Sequence, residues 1–449
     1  MPMPRFFLML VTSLLFLQLL VGSAWCLETK ASHSLEELVA EALANNPGIE
    51  ASESQWQMVT QKARQAGTLE DPMLMFGINN ALLRDPLNFE REAMTSKVLG
   101  VSQKVPFFGK RALARQVAEK ESLSAQARYE ERKLELISLV KETYAQIFFV
   151  DRAMQIVERN LQILDEVSRI TETRYGLGKA KQQEVFRAQL ERTRMLEAQI
   201  GLRQQRRSLE AAMNGLLSRP ADTSLVPVTS LEAPRVPLSA SELQRLAFAS
   251  RPALAGLSAQ MEKGRFQKQL AEKEFYPDFT FSVEYMQREE AMGAEGYDMY
   301  SASVSFNLPL QRQRRHAMTA EAQAALRQAQ AEIDVLQDRI AAGIGDLLAS
   351  LERGLHWIEL YRTVLIPQST RGFESAQIAY GNNQTDFESM LTSLLNRFND
   401  ERRYYEVVAQ YRMDMARLEA LVGRSLVEGA GSSSLPGPGS VTQPADDAH

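Results

Sequence analysis

The sequence predicts a mainly helical chain with a small β part, built as two copies of one unit of long helical hairpins. Three observations carry this. Landmarks recur at nearly one spacing, the signature of an internal repeat. Asn46-Pro47 and Arg251-Pro252, Pro72 and Pro277, and Tyr175-Gly176 and Tyr380-Gly381 each lie 205 residues apart, and Pro106 and Pro309 lie 203 apart. Neither glycine nor proline occurs from Ala112 to Tyr175. Two short segments, Phe279–Tyr285 and Tyr300–Leu308, alternate strictly between apolar or aromatic and polar residues.

The chain opens on one basic residue, Arg5, an apolar run from Phe6 to Val21, and the small residues Gly22, Ser23 and Ala24. This pattern predicts a secretory signal peptide over 1–26, cleaved after Ala24 or after Cys26. Cys26 is the only cysteine, so no disulfide forms within the chain and packing must hold the fold. Trp25 stands where a lipoprotein carries a small residue, which weighs against acylation of Cys26. Past the leader, no apolar run approaches the ~20 residues of a membrane-spanning helix. Membrane insertion of the mature chain therefore requires a closed β-barrel. A net charge of −5 offers no basic surface for nucleic acid.

Each copy reads in the same order. The first repeat covers 27–217, the second 241–427, and the Pro-rich segment 218–240 joins them. Residues 428–449, rich in Gly, Ser, Pro and Asp, form a tail expected to be disordered. A helix is expected over Ser34–Leu69, opened by a capping box of Ser34 and Glu37, and its counterpart over Ser241–Glu274. Two strands follow, then the long helix, a turn, and a returning helix over Lys179–Met213 or Thr385–Val422. The 64 residues of Ala112–Tyr175 would extend roughly 95 Å. No single globular core buries a helix of that length, so it must lie along others in an antiparallel hairpin. The second copy is interrupted by Gly343, Gly345, Gly354 and Pro367, and Pro367 should kink or break its helix.

Strict alternation gives a strand one apolar and one wet face. The wet face comprises Thr280, Ser282, Glu284, Ser301, Ser303, Ser305 and Asn307. A half-buried hairpin on a soluble core fits the same local pattern. The length of the run, the aromatics on its apolar side and the leader match a membrane-barrel strand instead. In the first copy Leu74, Phe76, Ile78 and Leu82 share a face, and Val98–Val105 alternates poorly. Single-chain outer-membrane barrels start at about eight strands. Four cannot close one, so the chain must share its barrel with other copies.

These features together resemble the TolC family of outer-membrane efflux proteins over about Ser34 to Gly423. The tandem duplication, the stretch SQKVPFFGKR between strand and helix, and the two hairpin tips carry the resemblance. The tips are Tyr175-x-x-Gly178 with Glu184-Val185 and Ala188-Gln189, and Tyr380 through Phe387 and Leu391. The GKR junction is most similar to the heavy-metal and cation efflux branch. The resemblance implies a homotrimer with a shared 12-stranded β-barrel in outer-membrane lipid and a trimeric α-barrel crossing the periplasm. It also implies a passive duct, not an enzyme, opened by a periplasmic adaptor and an inner-membrane pump, for metal cations or small toxic compounds. A duct for type I protein secretion shares this pattern.

The resemblance places the adaptor contacts at Tyr175, Gly176, Gly178, Tyr380, Gly381 and Asn383. Counting from Tyr380, the family's constricting acids fall on Ser389 and Thr392, neither of them a carboxylate; Asp386 and Glu388 are the nearest acids and would form an acidic ring attracting cations. At an N-terminus they also simply favour the helix dipole. The strand–helix junction comprises Pro106, Gly109, Lys110, Arg111 and Pro309. Lys110, Arg111 and Arg115, with Arg312, Arg314 and Arg315, are expected to anchor the protein at the membrane surface or to form a cationic ring. Positive charge opposes a helix N-terminus, so something else must favour it there. Phe107 and Phe108 fit an aromatic belt, a pair that FNLPLQRQRR lacks, so the two junctions should differ in geometry. The four histidines, His33, His316, His356 and His449, have no ligand-like spacing, and Met292 and Met299 are isolated, so no metal site or cofactor is expected. A periplasmic coiled-coil scaffold without a barrel is the competing reading from another class. Fractionation and gel migration with and without boiling separate the two: a soluble, heat-insensitive, purely helical protein would exclude the duct.

Overall fold

A computed structural model describes residues 34–426, apart from 85, 87, 88, 236, 237, 292 and 294. The expected leader with Cys26, the tail, His33, His449, Met292 and Pro237 lie outside the described residues. Nine α-helices and four strands follow in order among the described residues: α1 Leu35–Asn45, α2 Pro47–Ala66, β1 Met73–Asn79, β2 Ser96–Val105, α3 Lys110–Gly176, α4 Gln182–Leu217, α5 Ala240–Ser250, α6 Pro252–Lys273, β3 Phe279–Arg288, β4 Met299–Phe306, α7 Arg312–Leu360, α8 Ile366–Gly381 and α9 Phe387–Val422. The order of elements is the same in both halves. None of the described helices is long and apolar enough to cross a membrane.

The helices expected over Ser34–Leu69 and Ser241–Glu274 are each two helices, a correction with one cause. Asn46 and Arg251 sit in extended backbone (ψ 117° and 120°). Each precedes a proline, which disfavours the helical conformation one residue earlier. Both breaks are then used. The Asn46 side chain accepts from the Gly48 amide and donates to the Leu216 carbonyl, tying the break to the end of α4. At the second break Glu131 of α3 accepts from Arg251 (2.8 Å) and from the Ala253 amide (3.1 Å). The capping box at Ser34 and Glu37 is formed.

Helix α3 runs 67 residues, about 100 Å. It packs against α2, α4, α6 and α9, while α7 packs against α6 and α9. Three apolar clusters lie along this bundle. One gathers α1, α3, α4 and the linker around Leu38, Val140, Phe148 and Met213. A second fills the space towards the hairpin tips around Leu164, Phe373, Met390 and Leu394. The third joins α5, α7 and α9 around Leu243, Ile340, Tyr411 and Leu418. The linker is strapped across the bundle by buried polar contacts. Arg206 pairs with Asp151 (2.7 Å) and donates to Leu225 O, and Asp151 accepts from the Val228 amide.

The glycines expected to interrupt the second long helix do not; α7 runs through Gly343, Gly345 and Gly354. Gly343 and Gly354 are where α9 comes close: a β-carbon there would lie 2.9 Å from Leu421 and 3.1 Å from Tyr411. Pro367 does interrupt it, but through a π turn over Tyr361–Leu365 placed just before it. Proline lacks the amide that would bond back to Thr363 and crowds that carbonyl. The wider π turn absorbs the conflict and α8 restarts at once.

The strands form one antiparallel sheet in the order β1-β2-β3-β4. Opposed residues share a face. One face carries the rows Phe76–Leu99–Tyr285–Tyr300 and Leu74–Val101–Val283–Ala302. Phe76 and Tyr300 are 75% and 84% exposed, so this apolar face is bare in the single chain. The other carries Met73–Ser102–Ser282–Ser303 and Met75–Gly100–Glu284–Ser301. It is the expected wet face, with two methionines that alternation in β1 did not single out. Leu82 and Leu308, expected on strands, lie beyond the ends of β1 and β4. Strands β1 and β4 are both free edges, and a bare edge invites pairing with another chain.

The close approach at Gly354 gives a test. Gly354→Leu forces Tyr411 from a packed position and should cost about 1–3 kcal/mol by overpacking, read as a lower thermal midpoint. Gly345→Leu, where a β-carbon meets nothing within 4 Å, should not lower it.

Candidate functional site

Two places concentrate polar chemistry: the junction between sheet and helices, and the hairpin tips. At the first, Pro106 follows the last residue of β2, Gly109 turns the chain at φ 89°, and α3 begins at Lys110. A positive φ of this size is open to glycine and costly to other residues. The second junction has no such turn; Gln311 precedes α7 at φ −79°. Pro309 follows the end of β4.

Lys110 is 5% exposed. Its ammonium contacts Asp278 (2.8 Å), the Tyr276 carbonyl (3.2 Å) and Glu274 (3.3 Å). Asp278 also accepts from the Phe107 amide at 3.0 Å, and its own amide donates to Asn307 Oδ1 at 2.6 Å. One residue thus joins the end of β2 and the start of α3 through its carboxylate, and the segment after β4 through its amide. Burial pushes the Asp278 carboxyl up, but the bonds from Lys110 and Phe107, with the charges of Lys110 and Lys104, outweigh it and hold the group below its usual value.

The basic residues expected as membrane anchors divide. Arg111 donates to the Gly67 carbonyl (3.1 and 2.8 Å), and Arg315 to the Glu274 carbonyl (2.6 Å). Each therefore caps the carbonyl end of the antiparallel neighbour helix, where positive charge is favourable. This is the interaction that offsets the unfavourable dipole of their own helices. Arg115 pairs with Glu119. Hence Lys110 and Arg111 are engaged within the chain, while Arg115 makes only an exposed pair with Glu119. Phe107 stacks on Tyr276 at 4.6 Å, whereas Phe108 is 83% exposed.

The tips are built alike. In the first, Lys179 N donates to Arg174 O and Gly178 is left-handed; in the second, Gln384 N donates to Ala379 O and Asn383 is left-handed. This is the Schellman closure, with glycine or asparagine at the left-handed position. Tyr175, Gly176, Gly178, Gly381 and Asn383 are exposed. Tyr380 is not: it is buried at 5%, packed edge-on to Phe387, with its hydroxyl donating to Glu184 at 2.9 Å. Burial holds that hydroxyl above the usual tyrosine value, so it remains a donor across the physiological range.

Arg174 of the first tip lies over the Tyr380 ring and donates to Gly381 O (3.2 Å) and to Asn383 Oδ1. Arg187 pairs with Glu388 at 2.9 Å. The two tips of one chain are therefore latched together by Arg174, Glu184 and Arg187, none of which composition or spacing singled out as a latch. Their partners lie some 200 residues away, and no local pattern marks such a pair. Asp386 caps α9, accepting from Ser389 N at 2.7 Å, and that bond lowers its pKa. Ser389 and Thr392 are exposed on the face of α9 opposite Met390, Leu391 and Leu394. Leu177 and Phe186 expose 66% and 60% at the first tip.

Asp278→Asn should leave the buried Lys110 with Glu274 at 3.3 Å as its remaining counter-charge, at a cost of up to about 3 kcal/mol, measured by thermal unfolding. The depressed carboxyl contributes stability above its unfolded value, about pH 3.9, and that contribution is lost as pH falls through the folded value. The wild-type protein should therefore lose stability in acid more steeply than the variant.

A model of the outer membrane efflux protein family matches residues 38–219 and 243–388. The pyoverdine export outer membrane protein OpmQ of Pseudomonas aeruginosa is 24% identical over 422 residues, 89% of this chain and 86% of its own. Among solved structures, the outer membrane protein VceC of Vibrio cholerae superposes with a TM-score of 0.73 at 18% identity, covering 88% of this chain and 97% of that one. CusC superposes at 0.76 and 14% identity, covering 87% and 92%. The strands and the shared fold exclude the helical scaffold. The architecture is that of a trimeric α-barrel of duplicated hairpins with four strands per chain in a shared β-barrel. With the helices in the periplasm and the sheet in the outer membrane, this chain belongs to the outer membrane efflux protein family, whose members are passive channels and not enzymes.

Proposed function

We propose that three copies form the exit duct of a tripartite efflux system, opened at its periplasmic end by an adaptor and an inner-membrane pump. The observation that carries the reading is the sheet. It has two free edges, a bare apolar face and a wet face of serines with Glu284. Three such sheets supply twelve strands, enough to enclose water, with the apolar rows towards lipid. The duct supplies no energy, so transport is driven at the pump. Its cargo is metal cations or small toxic compounds. A small-molecule cargo is supported by the relative named for pyoverdine export, and a cation cargo by the acidic positions near the entrance.

The adaptor engages the hairpin tips, where Tyr175, Leu177 and Phe186 offer apolar surface beside the exposed turn residues Gly176, Gly178, Gly381 and Asn383. The gate lies just beyond, on the α9 face carrying Glu388, Ser389 and Thr392, with Asp386 at its start. The latch keeps the tips together at rest. Its Arg187–Glu388 pair joins groups 46% and 61% exposed, and such pairs contribute only about 0–1 kcal/mol. A docking protein can therefore break it with a small part of its binding energy.

Two measurements test this in planar bilayers. Arg174→Ala combined with Arg187→Ala should raise single-channel conductance at least several-fold; an unchanged channel would dismiss the latch as a gate. Replacing Asp386 and Glu388 by Ala should lower cation selectivity, and unaltered selectivity would sink the acidic ring.

A further inference from the structure

The two junctions meet one electrostatic problem and solve it differently. Arg111 and Arg315 behave alike, each capping a neighbouring helix. The residues one position earlier, Lys110 and Arg314, do not. Lys110 follows β2 and reaches the segment Glu274–Asp278, which leads into β3, the strand beside β2. Arg314 follows β4 but is exposed, and among the described residues it has no ion pair; Arg312 is in the same condition. No acid stands in the first turn of α7 to offset them.

The repeat identifies what is missing. At the 205-residue spacing, Glu274–Asp278 corresponds to Leu69–Met73, which leads into β1 and contains Glu70 and Asp71. Asp71 is exposed and has no ion pair among the described residues, and Glu70 makes one exposed contact to Lys104 at 3.3 Å. Within one chain these acids and Arg314 are separated by the whole sheet, because β1 and β4 are its two edges. They lie at the same, helix-side end of it, since β1 leaves that end and β4 returns to it. A second copy adding its β1 antiparallel to β4 therefore brings its own Glu70 and Asp71 beside Arg314, as β3 brings Glu274 and Asp278 beside Lys110.

We propose that Arg314 of one copy pairs with Glu70 and Asp71 of the next, with Arg312 alongside, so that the contact between copies repeats the Lys110 contact within the chain. This rests on the three-copy reading above. The ring of junctions then alternates a buried lysine latch inside each chain with a more exposed arginine latch between chains.

The test uses the full chain purified from membranes in detergent. Native mass spectrometry gives its stoichiometry, and unboiled gels give the temperature at which the assembly dissociates. Arg314→Glu, and Glu70→Arg with Asp71→Arg, should each lower that temperature, and their combination should bring it back towards wild type. A wild-type protein that is not trimeric would overturn both the three-copy reading and this pairing. A trimer whose combined variant is no better than the worse parent overturns the pairing alone and assigns Arg314 to another contact, such as lipid phosphate. If charge reversal prevents folding, Arg314→Gln and Asp71→Asn are measured instead, and wild-type dissociation temperatures for both overturn the pairing.

Discussion

The carboxylate of Asp278 is the constraint on which the joining of sheet to helices depends. Among the described residues the three apolar clusters are built from helices and linker, and none includes a strand residue. A sheet with one face towards lipid and the other towards water has no third face to pack on a core. Its orientation must then be fixed by contacts at its end. Asp278 supplies them to three chain segments at once, and the buried Lys110 makes that arrangement costly to leave. Hydrophobic burial organises the tunnel, and charge and hydrogen bonding organise its attachment to the barrel.

Much of this was legible in the residues. The 205-residue spacing implies two copies, the absence of glycine and proline implies the long helix, and alternation in β3 and β4 implies two-faced strands. The breaks at Asn46 and Arg251 were legible too, since each is followed by proline, but helical periodicity on both sides concealed them. Other features have no local signal. Lys110 reads as a surface cation until the fold brings Asp278, 168 residues away, beside it. Tyr175 and Tyr380 occupy equivalent places in the repeat, yet one is exposed and the other buried, because the two hairpins pack differently around the tip. The glycines of α7 read as weak points because propensity describes an isolated helix, whereas here Gly343 and Gly354 admit Leu421 and Tyr411.

The distribution of strength suits a conduit that must open at one end only. Buried charge holds the sheet to the helices, and the linker is fastened by the Arg206–Asp151 pair in the middle of the bundle. At the tips the contacts between hairpins are mostly exposed and individually weak. Rigidity and compliance are thus separated along the axis without any change of secondary structure.

The π turn before Pro367 also sets the rotational phase of everything beyond it. It holds one residue more than the α-helix it interrupts, and each residue of an α-helix turns the chain by about 100°. The extra residue therefore decides which side of α8 meets the bundle, and it delivers Phe373 and Tyr380 to the core facing α9. A chain one residue shorter between Tyr361 and Leu365 would keep its helix and turn and still swing that face away. The spacing of the tip from the junction is for this reason an angular quantity as much as a length.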